Sequence, residues 1–105
     1  MSIKDGVYYA ELYNEYMKML TDNQRSVFEM YCLLDLSLGE IAEIKGVSRQ
    51  SVQDSIVKTK RVLDDLEQKL GLLAKKKTIY GLIDRLSGDN ALEIAEKIKS
   101  VLGDD

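Results

Sequence analysis

The sequence predicts an all-α fold, arranged as one domain that spans residues 1–105. The chain has no proline, so none of its helices is broken by a residue that lacks a backbone N–H. Apolar residues recur at intervals of three and four in successive segments, which is the period of an amphipathic helix. Capping residues and glycines separate these segments. The apolar content of 45% and the charged content of 31% are typical of a folded chain.

The first two predicted helices precede the most informative part of the chain. The first covers residues 5–20, where four tyrosines lie on or beside the apolar stripe. Tyrosines can stack on exposed bases, but we expect these to pack in the core. Thr21 and Gln24 form a capping box, so a second helix should run from Asp22 to about Leu34. We expect its buried face to consist of Val27, Met30, Tyr31 and Leu34.

Residues 37–61 carry the pattern of a helix-turn-helix. Ser37 and Glu40 form a second capping box, and Ser48 caps a further helix. Between them, Gly46 supplies the left-handed residue that ends a helix at little cost. Two apolar pairs have the spacing of hydrophobic staples, Leu36 with Ile41 and Val47 with Val52, and Val47 should fill the turn. This order predicts a helix-turn-helix at residues 38–61, a unit that usually places its second helix in the DNA major groove.

The second helix of this unit should continue to about Leu70. Along it, apolar or small residues recur at alternating steps of four and three, as in a heptad seam: Val52, Ile56, Thr59, Leu63, Leu66 and Leu70. Such a seam can pack on the N-terminal helix or pair with another chain. We expect a symmetric homodimer that uses the long helix, around Leu63 and Leu66, or the C-terminal hairpin. That hairpin is predicted at about residues 72–102, after an interruption at Gly71.

The charge distribution points to a candidate nucleic-acid-binding surface. The net charge is −3, yet residues 45–85 contain ten Lys and Arg against five acids. This basic excess fits a phosphate-facing patch, and a solvated helix face explains it equally well. Two residues weaken the interpretation as a phosphate-facing patch. Lys45 occupies a position where an apolar residue is common, and phosphates would repel Asp54. Arginine and glutamine can read base edges and lysine can reach phosphates, so the candidate residues are Ser48, Arg49, Gln50, Gln53, Lys58, Lys60 and Arg61.

Composition argues against several other functions. The chain has no histidine and a single cysteine, Cys32, so the usual zinc ligands, a thiol–histidine pair and an internal disulfide are absent. It also has no glycine-rich phosphate loop, and we expect no catalytic, metal-binding or cofactor-binding residues. The N-terminal residues lack the apolar run of a signal peptide, and no stretch approaches the length of a membrane span. We therefore expect a cytoplasmic protein that is not an enzyme.

Three blocks of the sequence, YNEYMKMLTDNQRSVFEMY, DLSLGEIAE and VSRQSVQDSI, resemble the YlxM family of small helix-turn-helix proteins from Gram-positive bacteria and mycoplasmas. The resemblance covers about residues 8–70. It implies a winged-helix-like or sigma-region-four-like core of three helices, at about residues 21–70, that binds DNA. It also implies a regulatory link to the signal recognition particle. Ser51 and Gln53 depart from the family pattern, which has alanine and tyrosine at these positions of the predicted recognition helix.

Two functional classes remain open on these observations. The first is a regulator that binds DNA or RNA through the helix at residues 48–61. The alternative is a protein-interaction module that does not bind DNA and acts on the signal recognition particle GTPase or its RNA. The salt dependence of binding would separate them, because phosphate contacts weaken steeply with salt and apolar protein contacts do not.

Overall fold

The computed structural model describes the backbone of residues 3–103 and the side chains of residues 6–103. Within this range the chain forms six α-helices, one short 3-10 helix and no strand, which confirms the all-α prediction. It divides into two compact units, Met1–Lys69 and Leu70–Asp105. The helices are α1 (Ile3–Tyr16), followed by the 3-10 turn (Met17–Met19), α2 (Asp22–Cys32), α3 (Leu38–Lys45), α4 (Arg49–Leu70), α5 (Leu72–Asp84) and α6 (Ala91–Leu102).

The second helix ends two residues earlier than the sequence predicts. Its last turn closes with hydrogen bonds that span more residues than the four of an α-helix. Leu34 N donates to Glu29 O, five residues back, at 3.0 Å, and Leu36 N donates to Met30 O, six residues back, at 2.9 Å. Asp35 then adopts a left-handed conformation, with φ of 55°. Aspartate tolerates this conformation better than most residues with a β-carbon. The chain therefore leaves the helix path before Leu34, whose side chain is 64% exposed instead of buried as predicted.

The core of the first unit contains side chains from all four of its α-helices. Phe28, which the expected buried face of α2 omitted, is fully buried and stacks on the ring of Tyr13 at 5.7 Å between centroids. Met30 and Tyr31 are half-buried. The remaining buried side chains of this unit are Leu12, Tyr16, Leu20, Val27, Ile41, Ala42, Val52, Ile56, Thr59 and Leu63.

The long helix α4 buries its seam within the chain as far as Leu63. That leucine has no exposed surface, whereas Leu66 is half-buried and Leu70 is 39% exposed. Burying a side chain of this size contributes about 1.5–3 kcal/mol to folding. Thr59, the polar member of the seam, donates its hydroxyl to Ser55 O at 2.8 Å, so its burial leaves no unsatisfied group. The expected use of Leu63 in a dimer interface is therefore wrong, because this residue belongs to the core of one chain.

Tyr13 and Tyr16 of α1 pack in the core, as predicted, whereas Tyr8 does not, and three tyrosine hydroxyls of this helix bond to carboxylates on other helices. Tyr13 and Tyr16 are almost completely buried, Tyr9 is half-buried and Tyr8 is 40% exposed. A hydroxyl that donates to an ionised carboxylate forms one of the stronger hydrogen bonds in proteins. The three bonds join Tyr13 to Glu29 at 2.5 Å, Tyr16 to Glu67 at 2.5 Å and Tyr9 to Asp64 at 2.9 Å.

The second unit is a helical hairpin in which α5 and α6 pack against each other. Asn90 shapes its loop, since the side chain accepts from Ser87 N and donates to Arg85 O, both at 2.7 Å. The buried hydrophobic residues of this unit are Leu73, Leu82 and Ile94. Much of its apolar surface remains exposed, including Leu72, Tyr80, Ile83, Leu86, Leu92 and Leu102.

Burial and the bond to Glu29 raise the pKa of Tyr13 to about 12. The unfolded chain therefore loses this proton near pH 10, before the folded chain does. The resulting stabilisation is complete below about pH 10 and is lost as the pH rises through about 12. We expect Tyr13→Phe to lose less of its free energy of unfolding than the wild type over this interval, measured by urea titration. Tyr80→Phe, at a 56% exposed position, serves as the control. Equal losses in the wild type and Tyr13→Phe would contradict this assignment.

Candidate nucleic-acid interface

The turn between α3 and α4 has the geometry that the sequence predicts. Ser37 Oγ accepts from Glu40 N, and Glu40 Oε1 accepts from Ser37 N, each at 3.1 Å. The bond from the Ser37 backbone lowers the pKa of Glu40, because it favours the ionised carboxylate. Gly46 ends α3 in the left-handed conformation, with φ of 68°. Val47 N then donates to Ala42 O at 3.0 Å, so a carbonyl of the last turn is satisfied.

The start of α4 is held by Ser48, whose Oγ accepts from Ser51 N at 3.0 Å. No reciprocal capping bond forms, because the third helical residue is a serine and not a glutamate. Val47 is 46% exposed, so it fills the turn less completely than expected. Its staple partner Val52 is nevertheless buried. These contacts fix the direction in which the first turns of α4 project from the unit.

Most of the predicted nucleic-acid-binding residues share the solvent side of α4. Its opposite side carries the buried residues Val52, Ile56 and Thr59. Asp54 lies among the exposed residues and accepts a hydrogen bond from Gln50 Nε2 at 2.8 Å, so this carboxylate has a neutral partner within the helix. The exposed predicted residues are Ser48, Arg49, Gln50, Gln53, Lys58 and Arg61.

Arg49 lies against the start of α3. A β-carbon placed on Gly39 would be 2.9 Å from one guanidinium nitrogen of Arg49 and 3.1 Å from its central carbon. The absence of a side chain at Gly39 therefore leaves room for this guanidinium. The side chain is still exposed, so it can turn toward a ligand without breaking a buried contact.

Lys60 is the predicted residue that the structure does not bring to the exposed side. Its ammonium lies 5.0 Å from the ring centroid of Tyr9 and 5.5 Å from that of Tyr31. An ammonium over an aromatic face is attracted by the ring quadrupole, which makes that face electrostatically negative. The Lys60 side chain is half-buried, so this charge has partners within the chain. Its contact with phosphate stays a prediction.

Lys45 is a polar residue of this region that sequence reasoning treated only as a departure from the pattern. Its Nζ donates to Ser26 Oγ at 3.1 Å, and its side chain is half-buried at the end of α3. It lines a small pocket together with Asn23, Val27, Val47, Ser51, Val52 and Ser55. A lysine where an apolar residue is usual was the signal that could have identified this site.

The part of the chain that the structure describes gives little support for a metal site, a reactive thiol or a membrane-spanning helix. No group of three or more Cys, Asp or Glu side chains there is arranged to hold a metal ion. Burial raises the pKa of the half-buried Cys32 thiol, which disfavours the reactive thiolate. None of the described helices combines the length and the apolar character needed to cross a membrane.

Comparison with known proteins agrees with the helix-turn-helix geometry. A family model described as "Putative helix-turn-helix protein, YlxM / p13 like" matches residues 3–101, beyond the blocks that end near residue 70. The chain is 42% identical over 82 residues to a UPF0122 protein of Thermoanaerobacter sp. (strain X514), covering 78% of this chain and 70% of that protein. It is 48% identical over 75 residues to a UPF0122 protein of Geobacillus kaustophilus, covering 71% and 68%. A UPF0122 protein of Mycoplasma capricolum is 40% identical over 92 residues, covering 88% and 80%. The chain therefore belongs to the UPF0122 family of YlxM / p13-like helix-turn-helix proteins.

Proposed function

We propose that this protein is a cytoplasmic regulator that binds nucleic acid through the first turns of α4, residues 48–61. The observation that carries the proposal is the division of this helix into two faces. One face is anchored in the core by Val52 and Ile56, so the helix is held rigidly. The other face leaves arginine, glutamine and lysine side chains exposed. A rigid helix with such a face is what helix-turn-helix proteins insert into the major groove.

The exposed side chains divide into two roles by their chemistry. Gln53 can form paired hydrogen bonds with adenine, and Arg49 with guanine, so we assign base contacts to them. Lys58 and Arg61 are exposed further along α4 and suit phosphate contacts. Gln50 donates to Asp54, which orients that carboxylate and leaves it able to accept from a cytosine amino group. Charge also favours the first half of α4, since residues 49–61 contain four Lys and Arg against one acid.

We place this regulator in the signal recognition particle pathway. This part of the proposal rests on the resemblance of residues 8–70 to the YlxM family, and the nucleic acid is then DNA or the RNA of the particle.

A second candidate is a protein-interaction module that acts on the signal recognition particle GTPase or its RNA, with the helix-turn-helix as a scaffold. The observation that favours it is the solvent face of α3, where Ile44 is 60% exposed and lies close to two exposed acids, Glu40 and Glu43. Acidic side chains repel phosphates, whereas an exposed apolar side chain suits a protein partner. Recovery of the same protein partner from a cell extract with and without nuclease would favour this candidate over the first.

Alanine substitution of both Arg49 and Lys58 tests the nucleic-acid proposal. Removing a phosphate contact should weaken binding and reduce the slope of log affinity against log salt by about one. We expect Arg49→Ala combined with Lys58→Ala to weaken binding of a mixed-sequence duplex and to flatten this slope, measured by fluorescence anisotropy. Both side chains are exposed, so the fold should be retained.

The matched control removes two positive charges elsewhere on the same unit. Lys18→Ala combined with Lys69→Ala changes the net charge equally, and both side chains are exposed. This control should retain most of the wild-type affinity. If the two double variants bind equally well, residues 48–61 are not the binding surface.

We also propose a homodimer that forms through the C-terminal hairpin. The hairpin keeps large apolar side chains exposed, among them Leu86 at 52% and Leu92 at 84%. Exposed apolar patches commonly mark interaction surfaces. The expected dimer surface is therefore the hairpin and not the α4 seam around Leu63.

Sedimentation velocity at about tens of micromolar tests the dimer. The wild type should sediment as a dimer, and Leu86→Lys combined with Leu92→Lys as a folded monomer, because charged side chains disfavour an apolar interface. Leu33→Lys combined with Leu34→Lys, at exposed positions of the first unit, should leave the dimer intact. A monomeric wild type would contradict this proposal.

A further inference from the structure

The ammonium of Lys45 is partly withdrawn from solvent and has a neutral partner. It donates one hydrogen bond, to Ser26 Oγ at 3.1 Å. An ammonium carries three N–H donors, so this bond leaves two for other acceptors. Among the described residues no carboxylate pairs with Lys45. A binding partner that supplies negative charge would therefore be attracted to this ammonium.

The pocket that Lys45 lines has the residue composition of an anion site. Its polar lining consists of Lys45, Asn23, Ser51 and Ser55, which all carry N–H or O–H donors. Its remaining lining residues are the valines at positions 27, 47 and 52, and none of the seven is acidic. Apolar walls lower the local dielectric constant, which strengthens the attraction between an ammonium and an anion. The lining therefore favours a small anion over a cation.

A phosphate group matches these donors. It presents several oxygen acceptors in a tetrahedral arrangement, and the residues that line the pocket carry an ammonium, two hydroxyls and an amide. Ser51 lies in the first turn of α4, where the helix dipole favours negative charge, and Ser55 lies one turn further along the same side. They are also direct neighbours in sequence of Gln50 and Asp54 on the exposed side of α4. A phosphate held in this pocket would lie beside the proposed recognition surface.

We infer that the pocket between α2, α3 and α4 binds a phosphate group of the nucleic-acid backbone, with Lys45 as its charged ligand. The assignment of this phosphate to nucleic acid rests on the proposed function, whereas the affinity of the pocket for phosphate does not. The pocket would add a phosphate contact on the α2 side of α4 to the phosphate contacts proposed for Lys58 and Arg61. Contacts with phosphates fix the position of a protein on the duplex and so determine which bases its recognition helix meets.

The first experiment titrates inorganic phosphate into the full chain and follows amide chemical shifts at a constant ionic strength set by sodium chloride. We expect saturable changes at Asn23, Ser51 and Ser55, which Lys45→Gln abolishes and Lys45→Arg retains. Lys18→Gln, at an exposed position in the 3-10 turn, loses the same charge and should behave like the wild type. Thermal unfolding of each variant verifies that the fold is kept. The absence of saturable changes at these residues would show that the pocket does not bind phosphate, whether or not the protein binds nucleic acid.

The second experiment measures duplex affinity against salt for the same variants. Loss of one charged hydrogen bond should weaken binding by roughly tenfold. It should also reduce the salt slope by about one. If phosphate binds in the pocket but the wild type binds neither duplex nor RNA, the proposed function fails and the inferred source of the phosphate fails with it. If the wild type binds duplex and Lys45→Gln binds with the same affinity and slope, the pocket does not hold a backbone phosphate.

Discussion

Burying tyrosine against the long helix imposes the main constraint on the first unit. A tyrosine hydroxyl withdrawn from water must keep a hydrogen bond, or its burial costs more than the ring contributes. Tyr16 is 1% exposed and Tyr13 is 2% exposed, and both donate to carboxylates at 2.5 Å, on Glu67 of α4 and Glu29 of α2 respectively. These bonds have directional requirements that apolar contacts lack. They therefore fix how α1 lies against α2 and α4, beyond what burial of apolar surface alone would specify.

This constraint also determines which side of α4 faces solvent. Tyr9 bonds to Asp64 at 2.9 Å, and its ring contacts the ammonium of Lys60 at 5.0 Å, so one flank of the helix is occupied by α1. The buried seam and this flank leave the side with Gln50, Lys58 and Arg61 exposed. The candidate interface is thus a consequence of core packing. Changes in the tyrosine bonds would therefore alter the candidate interface through the orientation of α4.

The parts of the structure that depend on a few neighbouring residues could be predicted from sequence. The capping boxes and the left-handed Gly46 involve only three to five consecutive residues, and they form as expected. Periodicity could not show that Phe28 is buried and Leu34 exposed, because the burial of these residues depends on where α2 ends and the chain turns at Asp35. The contacts of Lys60 with two rings and of Lys45 with Ser26 join residues distant in sequence. Only the assembled helices bring such groups together, so residue type and spacing could not predict these contacts.

We propose the solvent side of α4, over residues 48–61, as a nucleic-acid-binding surface. Amide chemical shifts of the full chain, recorded while a short mixed-sequence duplex is added, test it most directly. We expect the largest changes within residues 48–61, with little change in α1 or in the hairpin, and reversal of these changes when salt is raised. Changes confined to α5 and α6, or no change at any duplex concentration, would contradict the claim.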